Sequence, residues 1–200
     1  MGRCCKWNNS LRRWPFFLPV LLSMLISQGI SCLAAAQETV PRQSIRVVTD
    51  NNYPPYVFHD NDGNLQGILV DQWRLWQKKT GVAVEISAMD WDIALKRMKA
   101  GEFDVIDTAF KTEERLGWLD FGKPYASIEV SAFFNNEISG ITDENSLKGF
   151  VVAVKKGDAA IDRLHQHGID NMVLFNSYEA IIQAAREHKV NVFVIDKPPA

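Results

Sequence analysis

Cysteine is confined to the start of this 200-residue chain: Cys4, Cys5 and Cys32 are its only three thiols. Everything after Cys32 therefore lacks a disulfide staple, a thiolate nucleophile and a cysteine metal ligand. A basic excess is missing as well. The chain has 22 Lys and Arg against 24 Asp and Glu; four bases (Arg3, Lys6, Arg12, Arg13) precede Gln37, and every acid follows it. The stretch from Gln37 onward is thus mildly acidic and has no basic stripe, which argues against nucleic-acid binding. There are four histidines. His165 and His167 are two apart and fall on different helix faces, while His59 and His188 have no ligand-like neighbours, so no metal or cofactor is expected. Also absent are a nucleophile elbow, a P-loop and a glycine-rich dinucleotide turn.

What is present begins with a leader. A basic segment is followed by the apolar run Pro15–Ile26, then Ser27-Gln28-Gly29, then Ala34-Ala35-Ala36 before Gln37. These are the three parts of a secretory signal, so residues 1–36 are expected to be a cleaved signal peptide and the rest periplasmic. An uncleaved anchor is the alternative, but the dense apolar run is shorter than the ~20 residues of a spanning helix. A lipoprotein reading at Cys32 meets Gly29 where Leu is usual.

From Gln37 on, strand and helix patterns alternate. Ile45–Thr49 reads as a strand. Leu69, Trp73 and Trp76 have helical spacing, with Gly81 as a stop. Val82–Ile86 is a strand, and Asp90 can cap a helix closed by Gly101. Phe103–Phe110 reads as a strand, Thr112 as the cap of a short helix, and Ile128–Phe134 as a strand. The pattern then restarts. Phe150–Val154 is a strand, Asp158 caps a helix ending at Gly168, Met172–Phe175 is a strand, Ser177 caps a helix, and Val190–Ile195 is the last strand. Asp143–Gly149 reads as a loop. Such alternation implies βαβ units, mostly parallel sheets and two α/β lobes.

In open α/β sheets ligands sit beyond the carboxyl ends of the strands. Those ends are residues 50–56, 107–112, 155–158 and Asp196. Tyr53 and Tyr56 flank two prolines that stiffen the turn. They can stack on a ligand or pack beneath a surface turn. Trp91 opens a helix and can be core or ligand wall. Arg115, just inside a helix start, suits bidentate carboxylate binding, or can pair with Glu113 or Glu114. Gly157-Asp158 is a possible anion nest. Asp196 can accept from an ammonium or hydroxyl, or simply face solvent.

The ordered segments IRVVTDNNYPPYVF (45–58), DGNLQGILVD (62–71), MDWD (89–92), GEFDVI (101–106), TEER (112–115), DFGKPY (120–125), LKGFVVAVKKGD (147–158) and VNVFVID (190–196) resemble bacterial extracellular solute-binding protein family 3, the polar amino acid binders. The resemblance spans Ile45–Asp196. It implies a type 2 periplasmic-binding fold of two α/β lobes that closes like a hinge. Lobe 1 is expected at 37–130 and lobe 2 at 131–196, with 197–200 starting a return crossover whose remainder is missing, so that the chain is a fragment. By the same resemblance the ligand-carboxylate arginine falls on Arg115, the stacking aromatics on Tyr53 and Trp91, the early acid on Asp50, and the α-amino acceptor on Asp196. Thr112 lies in the Arg115 turn. Departures lie around 107–111, where Thr108 is the hydroxyl left, and at Asp158-Ala159, where a Thr pair is expected.

The implied function is a binding module for an amino acid or related carboxylate. It would serve an inner-membrane ABC permease or form the input of a fused membrane signalling module. The enzymatic alternative is a periplasmic dehydratase of prephenate-like substrates, with Glu102, Asp107 and Glu129 as unconvincing acids. A cleft that has lost its ligand is the third reading.

Overall fold

A computed structural model describes residues 44–198; the expected signal peptide lies outside them. The elements in order are β1 (Ser44–Asp50), β2 (Phe58–His59), β3 (Leu65–Gln66), α1 (Ile68–Thr80), β4 (Ala83–Met89), α2 (Trp91–Lys99), β5 (Val105–Ile106), α3 (Glu113–Leu116), β6 (Val130–Phe134), β7 (Val152–Lys155), α4 (Ala159–Gln166), β8 (Met172–Phe175), α5 (Tyr178–Arg186) and β9 (Val192–Asp196).

Two α/β lobes result. In the first, β1 runs parallel between β4 and β5, from Ser44 opposite Ala83 to Asp50 opposite Met89. A central parallel strand is covered on both faces and wants an unbroken apolar run. The β-branched Val47 and Val48 supply it, and both are fully buried. In the second lobe the order is β6-β9-β7-β8, with β6 antiparallel to β9 and the other pairs parallel. Here β7 is the covered strand: all four residues of its Val-Ala-Val-Lys are buried.

Helix ends follow local chemistry. α1 stops at Gly81, whose φ of 74° a side chain would resist, and its N–H reaches back to Gln77 O. Thr112, Asp158 and Ser177 each accept a backbone N–H at the start of α3, α4 and α5. Asp90 differs from expectation. It precedes α2 without capping it, because its carboxylate is engaged elsewhere, by Asn51 Nδ2 at 3.0 Å and Asn176 Nδ2 at 3.2 Å.

The strand expected over Phe103–Phe110 shrinks to two residues. Asp107 breaks it: its carboxylate accepts from Trp73 Nε1 at 2.8 Å and Tyr125 Oη at 2.6 Å, and Thr108 then turns to φ 64°. Two features were not anticipated. One is the β2–β3 hairpin, whose turn is held by Asp60 accepting from Asn64 N at 2.8 Å. The other is a 3-10 turn, Glu144–Leu147, with a reciprocal Asp143–Ser146 capping box inside the expected loop.

Candidate functional site

The carboxyl ends of β1, β5, β7 and β9 converge on a half-open cavity of about 20 Å³, beside a larger pocket of about 570 Å³ that shares Tyr53, Thr108 and Phe110. The lining of the smaller cavity includes Asp50, Tyr53, Trp91, Thr108, Arg115, Asp158 and Asp196. Parallel packing explains the convergence, since it points all these strand ends the same way in each lobe.

After β1 the chain folds back: Tyr53 N–H donates to Val57 O at 2.7 Å, and the Pro54-Pro55 bond between them is cis. Tyr53 is buried, stacks on Tyr56 with centroids 5.4 Å apart, and donates through Oη to Asp196 Oδ2 at 2.8 Å. The turn therefore both packs and presents a ring to the cavity.

Trp91 is likewise core and wall at once. It sits in a cluster with Val48, Ala94 and Phe103, and its Nε1 crosses to Gly157 O in the second lobe at 3.0 Å. Arg115 lies 5.7 Å from the Trp91 ring centroid. Its Nη1 donates to Phe110 O at 2.9 Å and its Nη2 to Gly157 O at 2.8 Å. Among the described residues it makes no ion pair. Glu114 turns instead to Lys99 and Trp118 Nε1. An arginine only 4 % exposed whose guanidinium lacks an anion among the described residues is a costly arrangement. Burial pulls its pKa down, opposed by the field of Asp158.

The acids divide the remaining work. Asp158 accepts the Ala160 N–H at Oδ1 and the Tyr178 hydroxyl at Oδ2, so both its oxygens are occupied. Among the described residues Asp196 Oδ1 is buried and meets no hydrogen-bond donor in good geometry, although the Tyr178 hydroxyl lies near enough to favour the ionised carboxylate. Burial first, and then the charge of Asp158, push the Asp196 carboxyl up to about 6. Asp50 pairs with Lys155 Nζ and accepts Asn52 N–H at 3.1 Å. Burial raises its pKa above the ordinary carboxylate value despite that partner. Thr108 lines the cavity from a left-handed backbone rare for a β-branched residue.

The model of bacterial extracellular solute-binding proteins, family 3, matches residues 45–186. The chain belongs to that family. A probable amino-acid ABC transporter-binding protein of Haemophilus influenzae is 32% identical over 111 residues, which is 54% of this chain and 42% of that protein. An ancestral arginine-binding protein bound to arginine is 29% identical at a TM-score of 0.69, covering 78% of this chain and 70% of its own. A histidine kinase sensor domain with similarity to periplasmic binding proteins superposes at a TM-score of 0.74 and 23% identity, over 79% and 70% of the two chains. The chain thus spans less than half of the Haemophilus relative and about seven-tenths of the two solved structures.

In this family-3 chain seven of the eight candidate residues share the cavity. Thr112 does not line it and acts one step back: its Oγ1 accepts the N–H of Arg115 at 3.3 Å, at the N-cap of α3. Four lining residues were not among the eight candidates: Phe110 and Lys155, which lie in the expected strand-end ranges 107–112 and 155–158, and Ala159 and Tyr178. A lysine ending a buried-type strand was the visible signal for Lys155. Tyr178 had none, because its cavity position depends on how α5 packs. The acids of the dehydratase reading lie off the cavity. Glu102 pairs with Arg97, Glu129 with Lys197, and Asp107 binds Trp73 and Tyr125.

Proposed function

We propose that this domain closes on a small zwitterion, an amino acid or close relative. Arg115 would receive the carboxylate and Asp196 the ammonium, with Tyr53 and Trp91 as walls. The observation that carries the reading is a complementary pair of unmet groups in one cavity: among the described residues, a buried guanidinium without an anion and a buried carboxylate oxygen without a donor in good geometry. Arginine's planar fork suits a carboxylate, and an ammonium supplies the donors that Asp196 Oδ1 lacks. Asp50, Thr108, Asp158 and, through α3, Thr112 complete the proposed site.

The domain is proposed to work outside the cytoplasm, as the family's description as extracellular supports. Its partner would be an inner-membrane ABC permease, in line with the name of the Haemophilus relative. The same closure could serve equally as the input of a membrane signalling module.

The test is calorimetry and thermal melting with the twenty L-amino acids. At least one is expected to bind, and at 100 times its Kd to add about 2.7 kcal/mol of stability. Arg115→Ala should then cost roughly 2–5 kcal/mol of affinity. No melting shift with any amino acid, or full affinity in Arg115→Ala, would sink the reading.

A further inference from the structure

Lys155 is the charged residue of the described cavity lining that the zwitterion reading does not use. It ends β7, and its side chain is only 2% exposed. Its ammonium crosses the cavity to Asp50, at the end of β1 in the other lobe, and lies 4.7 Å from the Tyr178 ring centroid. The other charged groups are accounted for differently: Asp158 is spent on Ala160 N–H and Tyr178 Oη, Asp196 keeps one oxygen open, and Arg115 lacks an anion. Among the described lining residues, Asp50 is therefore the carboxylate already neutralised by a cation of the protein itself.

That arrangement discriminates between ligand side chains. A guanidinium or ammonium arriving at Asp50 would have to displace Lys155, leaving a buried ammonium unpaired beside a second cation. A side chain ending in a hydrogen-bond acceptor meets no such conflict. It can take one of the two ammonium protons not directed at Asp50.

We propose that Lys155 is a specificity-determining residue: a tethered cation that holds the place of a basic ligand side chain. The cleft then selects zwitterions whose side chain ends in an amide or carboxylate and rejects those ending in a cation. This rests on the zwitterion reading above.

The experiment is calorimetry with L-glutamine, L-glutamate and L-arginine on the wild-type chain, Lys155→Met and the Asp50→Asn/Lys155→Met double variant. Each protein is first shown to melt cooperatively. The wild type is expected to bind glutamine or glutamate at least about tenfold more tightly than arginine. Lys155→Met should gain about tenfold or more in arginine affinity, and the double variant should lose that gain. Wild-type arginine binding equal to or tighter than the other two overturns the proposal, even if Lys155→Met does not fold. So does an unchanged preference in a folded Lys155→Met. Absence of binding by any amino acid removes the zwitterion reading and this proposal together, whereas preferred arginine binding removes this proposal alone.

Discussion

Asp196 has one oxygen bonded to Tyr53, one without a donor in good geometry among the described residues, and a carboxyl pushed up to about 6, mainly by burial. If that oxygen receives a ligand ammonium, binding requires the ionised form. Affinity should therefore fall as pH drops through about 6, approaching tenfold per unit below it, the limit for one linked proton. Calorimetry from about pH 5 to 8 checks this, and Asp196→Asn should bind weakly and with a flat profile. Stability runs in the opposite sense. A carboxyl raised on folding stabilises fully below its ordinary value near 4, and that contribution is lost as pH rises through about 6. The raised Asp50 adds to this slope. The melting temperature of Asp196→Asn should depend less on pH than that of the wild type between about pH 4 and 7. A steeper dependence in the variant would contradict this assignment.

Two elements hold the site by local means. α3 is four residues long and owes its start to Thr112, whose hydroxyl accepts the Arg115 N–H. Thr112→Ala should cost about 1 kcal/mol of stability. It should also weaken ligand binding by loosening Arg115 rather than by removing a direct contact. Denaturant melts combined with calorimetry separate the two effects. α1 begins at Gly67, with φ 124°, where an added Cβ would come within 2.2 Å of Tyr56 O. That obstacle is backbone and cannot swing away, so Gly67→Ala should destabilise by at least ~2 kcal/mol. Near-normal stability in that variant would mean that the Tyr53–Val57 turn readily shifts. Asp107 shows the reverse case, a local rule broken by a tertiary partner. The strand pattern of Phe103–Phe110 stops where Trp73 and Tyr125 capture its carboxylate.

Across the whole molecule the lobes are tied by Trp91 and Arg115 to Gly157 O, by Tyr53 to Asp196, by Lys155 to Asp50, and at the rim by Asn52 to Glu179 Oε2 at 2.9 Å. The cavity beside these ties, about 20 Å³, has room for about one water molecule. For this cavity to hold an amino acid these ties must part, as hinged two-lobed domains allow; a pocket of about 570 Å³ that shares Tyr53, Thr108 and Phe110 adjoins it. Stopped-flow mixing with a binding amino acid should therefore show an observed rate that levels off with concentration, limited by opening. A rate that stays linear to high concentration would indicate an entry route that leaves the lobes together.

The sequence by itself determined the alternation of strands and helices, the strand ends at Asp50, Lys155 and Asp196, and the caps at Thr112, Asp158 and Ser177. Periodicity, capping chemistry and turn residues are local, and segments such as IRVVTDNNYPPYVF carried the family. It left open whether Tyr53, Trp91 and Arg115 faced solvent, core or cavity. Tertiary structure decided that, because burial, partner choice and pKa depend on groups far apart along the chain. Arg115 reaches Gly157 rather than its neighbour Glu114, and Asp196 meets Tyr53 across 143 residues. The same reason hid the pairing of Lys155 with Asp50, 105 residues apart, and the place of Tyr178 beside them. No pattern within one helix or strand encodes which opposite charge will wait across a cleft.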